Sequence, residues 1–260
     1  MLFRSKLLHN RKPNAKIIIL DNLSYASNIN FLTPVLKTKN VTFEKIDINN
    51  IDQLSTFFKK NKTDIVIHFA AESHVDNSIA SPDQFVHTNV LGTFNLLKTS
   101  KAKKFIHVST DEVYGFIGAN ENRQFKETDK LDPTSVYSSS KAASDLIALS
   151  FYKTYKLNVI VTRCCNNFGP NQHKEKFIPT IIRSLLSETP VPVYGRGENM
   201  REWIYVTDHC EQILNVLEHG INGEIYNIGS SVELRNIDLV KKIANIMLNK
   251  KYISKHSFKF

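Results

Sequence analysis

Short apolar runs rich in β-branched residues alternate along this chain with segments of helical period. Residues 16–21 (KIIILD), 64–71 (DIVIHFAA), 104–109 (KFIHVS) and 158–163 (NVIVTR) are apolar almost without a break. Strands of a parallel sheet are covered on both faces, so they lack the in–out alternation of a half-wet sheet. These four runs are therefore predicted as buried parallel strands. Between them, residues 51–60, 82–99 and 138–155 place apolar side chains three and four apart, the spacing of one helix face. Strand and helix alternating in this way predict an α/β fold with a doubly wound, Rossmann-like parallel sheet. From Gly169 the pattern changes: turn residues become frequent and the predicted strands shorter (VPVYG, REWIYV, EIYNIG). That change predicts a domain over residues 1–168 and a smaller mixed α/β lobe over 169–260, with no internal repeat and no low-complexity linker.

Composition narrows the classes. With 42% apolar residues in 260, the chain can bury a core and is not expected to be disordered. The formal net charge is +9, and the lysines are spread over many segments. No helix or stripe collects them before the tail, so a nucleic-acid partner is not expected; an anionic small ligand such as a nucleotide is compatible. The tail carries Lys241, Lys242, Lys250, Lys251, Lys255 and Lys259 with no acid after Asp238, and is expected to be a frayed end rather than a docking patch. The three cysteines, Cys164, Cys165 and Cys210, argue against a disulfide framework and for a reducing, cytoplasmic compartment. No zinc-type spacing occurs, so no metal site is expected. Residues 1–10 lack the apolar stretch of a secretory signal, and the longest apolar runs are strand-length, which excludes a membrane-spanning helix.

Three constellations carry candidate chemistry. Tyr137 and Lys141 lie four apart, on one face of the predicted helix. An ammonium beside a phenol stabilises the phenolate, which can accept a hydroxyl proton while hydride leaves the same carbon. The spacing alone is weak evidence, since among 9 tyrosines roughly one such pair arises by chance. Tyr152 and Lys156 form a second, assigned to chance. Only Tyr137 opens a helix after a loop and follows the second constellation, Ser109-Thr110-Asp111-Glu112, at the carboxyl end of KFIHVS. Ligands of open α/β sheets bind at such ends, and adjacent acids in unlike environments can divide into proton donor and acceptor. The bland alternative, a capped turn, loses weight because the tyrosine–lysine pair lies downstream. Third, Asp21 ends the strand KIIILD, where dinucleotide folds place an acid on the adenosine ribose about 20 residues after a glycine turn. Here the first glycine is Gly92, so no such turn precedes Asp21, and Gly195-Arg196-Gly197 is no substitute.

Long motifs then point to a family. HFAAESHVDNSI (68–79), STDEVYG (109–115), YSSSK (137–141), NNFGPNQHKEKFIP (166–179), YGRGENMREWIYVTDH (194–209) and YNIG (226–229) resemble the nucleotide-sugar 4,6-dehydratases, which include the dTDP-glucose and UDP-glucose 4,6-dehydratases of the extended short-chain dehydrogenase superfamily. The resemblance implies NAD-dependent dehydration of a nucleotide-diphosphate hexose to its 4-keto-6-deoxy form. It implies Thr110, Asp111, Glu112, Tyr137 and Lys141 as catalytic residues. It implies Asp21, Asn22, Leu23, Ser24, Asp47, Ile48, Phe69, Ala70, Ala71, Thr88 and Asn167, with Tyr137 and Lys141, as NAD contacts. Ser73, Thr110, Asn166, Lys176, Phe177, Pro192, Tyr194, Arg201 and Asn236 are implied as sugar-nucleotide contacts; Lys176 and Arg201 suit a diphosphate. Homodimers are common in the family, through helices corresponding to 82–99 and 138–155.

The chain departs from the family pattern in three places. The first strand with its glycine loop is missing from the N-terminus. The C-terminus ends near Phe260 without the family's Arg-rich segment. Asn77 stands where the motif usually has Arg. Without a strand between them, KIIILD and DIVIHFAA are expected to share no partner, leaving main-chain groups unpaired at about 1–3 kcal/mol each. Two further readings follow. One is a truncated remnant that keeps the catalytic residues without retaining NAD and acts at most as a binding domain. The other is a sister 4-epimerase, disfavoured by Asp111-Glu112.

Overall fold

The computed structural model describes residues 2–117 and 123–254; Lys255, Lys259 and Phe260 of the tail lie outside them. The chain forms two compact units, Met1–Cys164 with Thr207–Ile228, and Cys165–Val206 with Gly229–Phe260. The expected single boundary near residue 168 is thus replaced by three crossings of the chain.

In the first unit four parallel strands lie in the order β3 (Ile65–His68), β4 (Lys104–Thr110), β5 (Asn158–Cys164), β8 (Ile225–Ile228). Their register pairs Thr110 with Cys164 and Cys164 with Ile228, so the carboxyl ends of β4, β5 and β8 are level, while β3 ends at His68 opposite His107, three residues short of the end of β4. Helix α3 (Ile51–Lys60) starts where Asn50 caps the Gln53 N–H, with Asp52 in its first turn and Lys59 and Lys60 in its last, charges that complement the helix dipole. Helices α4 (Val75–Ala80), α5 (Pro82–Phe85) and α6 (Thr93–Ser100) follow β3, with a π-helical turn, Val86–Gly92, joining the last two. Gly92 sits so close to Ile48 that a Cβ would stand 2.6 Å from its Cδ1. The 20-residue α7 (Val136–Tyr155) opens on a reciprocal Ser135–Ser138 capping box and stops at Lys156, whose φ of 59° ends helical geometry. Leu54, Leu96, Phe105, Ala148, Phe151, Val159 and Val161 form the core between the helices and the sheet.

Strand β1 (Ile17–Asp21) pairs in parallel with β2 (Val41–Lys45), capped by a small core of Ile17, Ile19, Leu32, Val35 and Val41; α2 (Thr33–Leu36) lies between them in sequence. Among the described residues no strand joins β1 to β3: the sheet is in two pieces, two and four strands wide. Beside them lies α1 (Leu2–Arg11), an element the apolar pattern did not announce. Its Arg4 guanidinium stacks 3.7 Å over the Phe69 ring. Arg11 pairs with Glu211, and Lys12 Nζ lies 2.7 Å from Glu218 Oε1, both acids on α9 (Val206–His219).

The second unit holds β6 (Asn166–Phe168), parallel to β7 (Met200–Tyr205), which runs antiparallel to β9 (Glu233–Arg235). Helices α8 (Phe177–Leu186) and α10 (Asn236–Asn249) bury Ile181, Leu185, Leu239, Val240, Ala244 and Met247 with Trp203. Two expectations are corrected here. EIYNIG is no strand of the smaller lobe; as β8 it returns after α9 to extend the parallel sheet beside β5. VPVYG is no strand, because Pro192 lacks a donor and Gly195 turns with φ +55°.

Candidate active site

Parallel strands level their carboxyl ends, and the residue after a strand can turn out of the sheet there. At the end of β4, Thr110 is 7% exposed and its Oγ1 accepts the Glu112 N–H at 3.3 Å. This cap starts a short 3-10 turn, Asp111–Tyr114, that carries both acids, half-buried, at the strand end. Gly115 closes the turn at φ +82°, and a Cβ there would lie 2.4 Å from the Asp132 carbonyl oxygen. The capped start of α7 brings Tyr137 to the same place. The Tyr137 side chain hydrogen-bonds Thr110 and feels the charges of Glu112 and Asp111, while its ring meets Phe85 edge-on at 6.3 Å. One turn on, Lys141 is 2% exposed and donates from Nζ to the Val108 carbonyl at 2.9 Å. Thr110, Asp111, Glu112, Tyr137 and Lys141 are thus gathered at one edge of one sheet.

The electrostatics differ from the sequence expectation. Burial holds the Tyr137 phenol well above its usual range, and Glu112, Cys164 and Asp111 add to the rise; the hydrogen bond with Thr110 opposes it. One donor of the Lys141 ammonium goes to a main-chain carbonyl, and burial with the neighbouring acids keeps the phenol protonated, so the expected standing phenolate is not what this arrangement favours at rest. Burial lowers Lys141 to about 8, against the charges of Asp145 and Cys164. A lysine so close to neutrality can change its proton state during a reaction.

The first unit also places the implied dinucleotide contacts. Asp21 ends β1 and accepts the Leu23 N–H at 2.8 Å and the Ser27 hydroxyl at 3.0 Å. Asn22 donates to Asp47 at 3.2 Å and accepts the Ser24 N–H at 3.0 Å, while Leu23 adopts φ 54°. The loop therefore holds two carboxylates, Asp21 and Asp47, at the ends of neighbouring strands. Ile48 is 7% exposed in the core and its carbonyl accepts from Asn95, so its side chain has no face to offer a ligand. Thr88 accepts from Asn49 at 3.4 Å. Phe69, Ala70 and Ala71 follow β3, and Phe69 carries Arg4 on its face and His209 at its edge, 6.4 Å away. Ser73 is exposed ahead of α4. Asn77 donates to the Tyr25 hydroxyl at 3.0 Å, a contact that a longer, charged arginine would not make in the same way.

Such a set fits a dinucleotide at its ends. Asp21 and Asp47 suit vicinal ribose hydroxyls and an adenine edge, and Tyr137 with Lys141 suits the redox end.

In the second unit, Asn166 and Asn167 lie on β6, and the Asn166 amide nitrogen is buried without a partner. Asn167 donates to the Cys165 carbonyl. Lys176 stands at the N-cap position of α8 without a side-chain cap, and Phe177, the first residue of the helix, packs on the unit's core. Pro192 lies in an irregular stretch with Tyr194, which is 76% exposed. Arg201 leads along β7 and donates to the Met200 carbonyl, and Asn236 opens α10 with its side-chain oxygen buried and unpaired. Unpaired buried amides call for a partner that the protein does not supply.

Sequence reasoning missed Asp145 and Arg163. Asp145 is fully buried on α7 and accepts from Arg163 Nε at 2.9 Å. The available signal was a pair of charges in apolar surroundings: an Asp on the inward face of α7 and an Arg ending an otherwise apolar strand run. Among the described residues, no group of three His, Cys, Asp or Glu side chains gathers as metal ligands, and no helix is long and apolar enough to cross a membrane.

The family profile described as GDP-mannose 4,6 dehydratase matches residues 3–259. A probable dTDP-glucose 4,6-dehydratase of Sinorhizobium fredii is 44% identical over 246 residues, covering 90% of this chain and 70% of that protein. The dTDP-glucose 4,6-dehydratase of Neisseria meningitidis is 41% identical, covering 91% and 70%. Among solved structures, DesIV of Streptomyces venezuelae, a dTDP-glucose 4,6-dehydratase with NAD and TYD bound, is 42% identical with a TM-score of 0.89, covering 99% of this chain and 79% of that one.

Proposed function

We propose that this chain, which belongs to the GDP-mannose 4,6 dehydratase family, is an NAD-dependent hydro-lyase that converts a nucleotide-diphosphate hexose, dTDP-glucose in the first place, to its 4-keto-6-deoxy form. One observation carries the reading: the Thr110-Asp111-Glu112 turn closes on Tyr137 at the carboxyl end of β4, with Lys141 one helical turn behind.

NAD, when bound, supplies a hydride acceptor at C4 and a hydride donor at C6, so no outside oxidant is needed. The chain's own residues manage the protons. Thr110 holds the C4 oxygen, and Tyr137 takes the O4 proton as that carbon is oxidised. The 4-ketone acidifies C5–H. Glu112 removes that proton, Asp111 protonates the departing C6 hydroxyl, and water leaves. Glu112 then returns its proton to C5. Asp111 must carry a proton to act as the acid, and a neutral Asp111 is one charge fewer against the Tyr137 phenolate. Lys141 sets how readily that phenolate forms. Asp21, Asp47, Phe69 and Thr88 are proposed to hold the dinucleotide. Asn166, Lys176, Arg201 and Asn236 of the second unit are proposed for the sugar nucleotide; Lys176 and Arg201 match its diphosphate charge.

Exposed Ile79, Val86, Leu91 and Leu146 on α4, the π-helical turn and α7 support a second copy of the chain as partner. The three free cysteines suit a reducing cytoplasm.

The test is direct. The purified chain is incubated with dTDP-glucose and, separately, UDP-glucose, and the 4-ketone is followed by NMR, with bound NAD measured on the same sample. Formation of a 4-keto-6-deoxy sugar is the expected outcome; a 4-epimer instead would replace the reading with a sister activity. A second reading, a binding domain without turnover, is favoured by Arg4 lying on the ring of Phe69. Finding neither bound NAD nor any ketone would select it.

A further inference from the structure

Behind the tyrosine–lysine pair lies a buried set of charges that the mechanism above does not use. Asp145 follows Lys141 by one turn on the same face of α7 and is fully buried. Its Oδ2 accepts from Arg163 Nε on β5 at 2.9 Å, and its Oδ1 lies 3.3 Å from His107 Nε2 on β4. Arg163 is 3% exposed, and its guanidinium sits 4.7 Å over the Tyr114 ring, at the end of the turn that carries Asp111 and Glu112. His107 also meets the Ser144 hydroxyl at 3.0 Å, and that hydroxyl donates to the Lys141 carbonyl. Every side chain in this layer touches either α7 or the strand end.

Charge counting gives the layer a purpose. Burial, with His107 and Lys141 beside it, drives His68 well below its usual range, and burial brings His107 to about 4, so both rings are neutral near pH 7. Burial alone would raise Asp145, but His107 and Arg163 outweigh it and keep the carboxylate ionised. The groups facing Lys141 and Asp145 are then His68 from β3, His107 and Ser109 from β4, Arg163 and Cys164 from β5, and Tyr137 from α7 itself, with Tyr114 beyond Arg163. The preceding helices bring the uncharged Phe85 to Tyr137 and, through the π-helical turn, Asn89 to Ser140. Lys141, Asp145 and Arg163 sum to one net positive charge, the amount that one phenolate at Tyr137 would neutralise.

We propose that Asp145 is a positioning residue of the site: it offsets the buried Arg163, so that the one uncompensated positive charge of the layer stays on the Lys141 ammonium, one helical turn from Tyr137. Asp145 never touches substrate. It acts through Lys141, and its role in turnover rests on the dehydratase reading above.

Two substitutions with opposite expected signs test this. Asp145→Asn keeps the shape and removes the negative charge, so the Lys141 titration midpoint should fall by about 1–3 pH units. Arg163→Met removes the cation that Asp145 is spent on, so the midpoint should rise. The midpoint is read from the side-chain nitrogen signal in protein labelled at lysine, assigned by its loss in Lys141→Met, and needs neither NAD nor turnover. Movement in opposite directions supports the proposal. Movement in the same direction, or none, overturns it, because a merely structural role would disturb both variants alike. Should Asp145→Asn fail to fold, Arg163→Met carries the test alone, with an unmoved or lowered midpoint overturning the proposal. In kinetics, the basic limb of the kcat/KM profile should follow each midpoint. If unsubstituted protein shows no turnover at all, the dehydratase reading fails while the titration still decides the role of Asp145.

Discussion

Helix α7 carries the same spacing twice, and the two ends come to different things. At its start, Tyr137 and Lys141 sit against the carboxyl end of β4; the lysine is 2% exposed and bonded to Val108. At its end, Tyr152 packs against Gly223, where an added Cβ would lie 2.2 Å from the ring. Lys156 there is the exposed, left-handed cap, and its ammonium only reaches back to the Lys153 carbonyl. The helix runs opposite to the strands it covers, so its first turn lies at their carboxyl ends and its last turn near their amino ends. Ligand chemistry on a parallel sheet belongs to the former edge. A Tyr-x-x-x-Lys motif therefore gains meaning from where along the helix it falls, and from the polar turn opposite it, not from the spacing.

The largest effect expected of this contrast is on turnover. Tyr137→Phe should cut kcat on dTDP-glucose by about 10²–10⁴-fold, the usual worth of a positioned acid–base group, while Tyr152→Phe should leave kcat within about twofold. Equal losses, measured as 4-ketone formed, would erase the distinction between the two ends. The next effect divides the acids from the pair. Asp111→Asn should still allow hydride to leave C4 but stall elimination, lowering net turnover by about 10²-fold and letting reduced nicotinamide accumulate in a rapid-quench experiment. Parallel loss of both half-reactions would show that Asp111 and Tyr137 do not hold separate roles.

How much of this was legible depends on the kind of residue. The runs KFIHVS and NVIVTR became β4 and β5 almost to the residue, because a strand buried on both faces leaves little choice of side chain. The segment 51–60 became α3 because its cap and end charges agree with its apolar face. Strand β2 (VTFEK) falls outside that reading: Val41 and Phe43 alternate with the exposed Thr42 and Glu44, the pattern of a half-covered strand, whereas unbroken apolar runs mark only strands buried on both faces. The return of β8 to the main sheet was hidden because local pattern says nothing of which edge a strand joins. At the site, Thr110, Asp111, Glu112, Tyr137 and Lys141 could be grouped because strand end and helix start are both local signals. Asp145 could not, since its meaning comes from Arg163 eighteen residues away on another element. The same holds for the direction of the Tyr137 shift, which is set by burial and neighbouring acids rather than by the lysine four residues on.

The smallest effect separates the two lysines by stability rather than activity. Burial holds the folded-state pKa of Lys141 at about 8, below the 10.5 of an exposed lysine. Between those values the unfolded chain keeps a proton that the native protein has shed, so stability rises with pH across that window. Below pH 8 the ammonium is charged in both states and its burial costs in full. Denaturant unfolding of the native sequence and of Lys141→Met should therefore diverge in favour of the native sequence as pH climbs from 8 to 10.5, by on the order of 3 kcal/mol at most. Lys156→Met, at the solvated end of the helix, should track the native sequence across the same range. Parallel curves for all three proteins would mean that Lys141 is not held in a dry site, and the contrast between the two ends of α7 would lose its electrostatic basis.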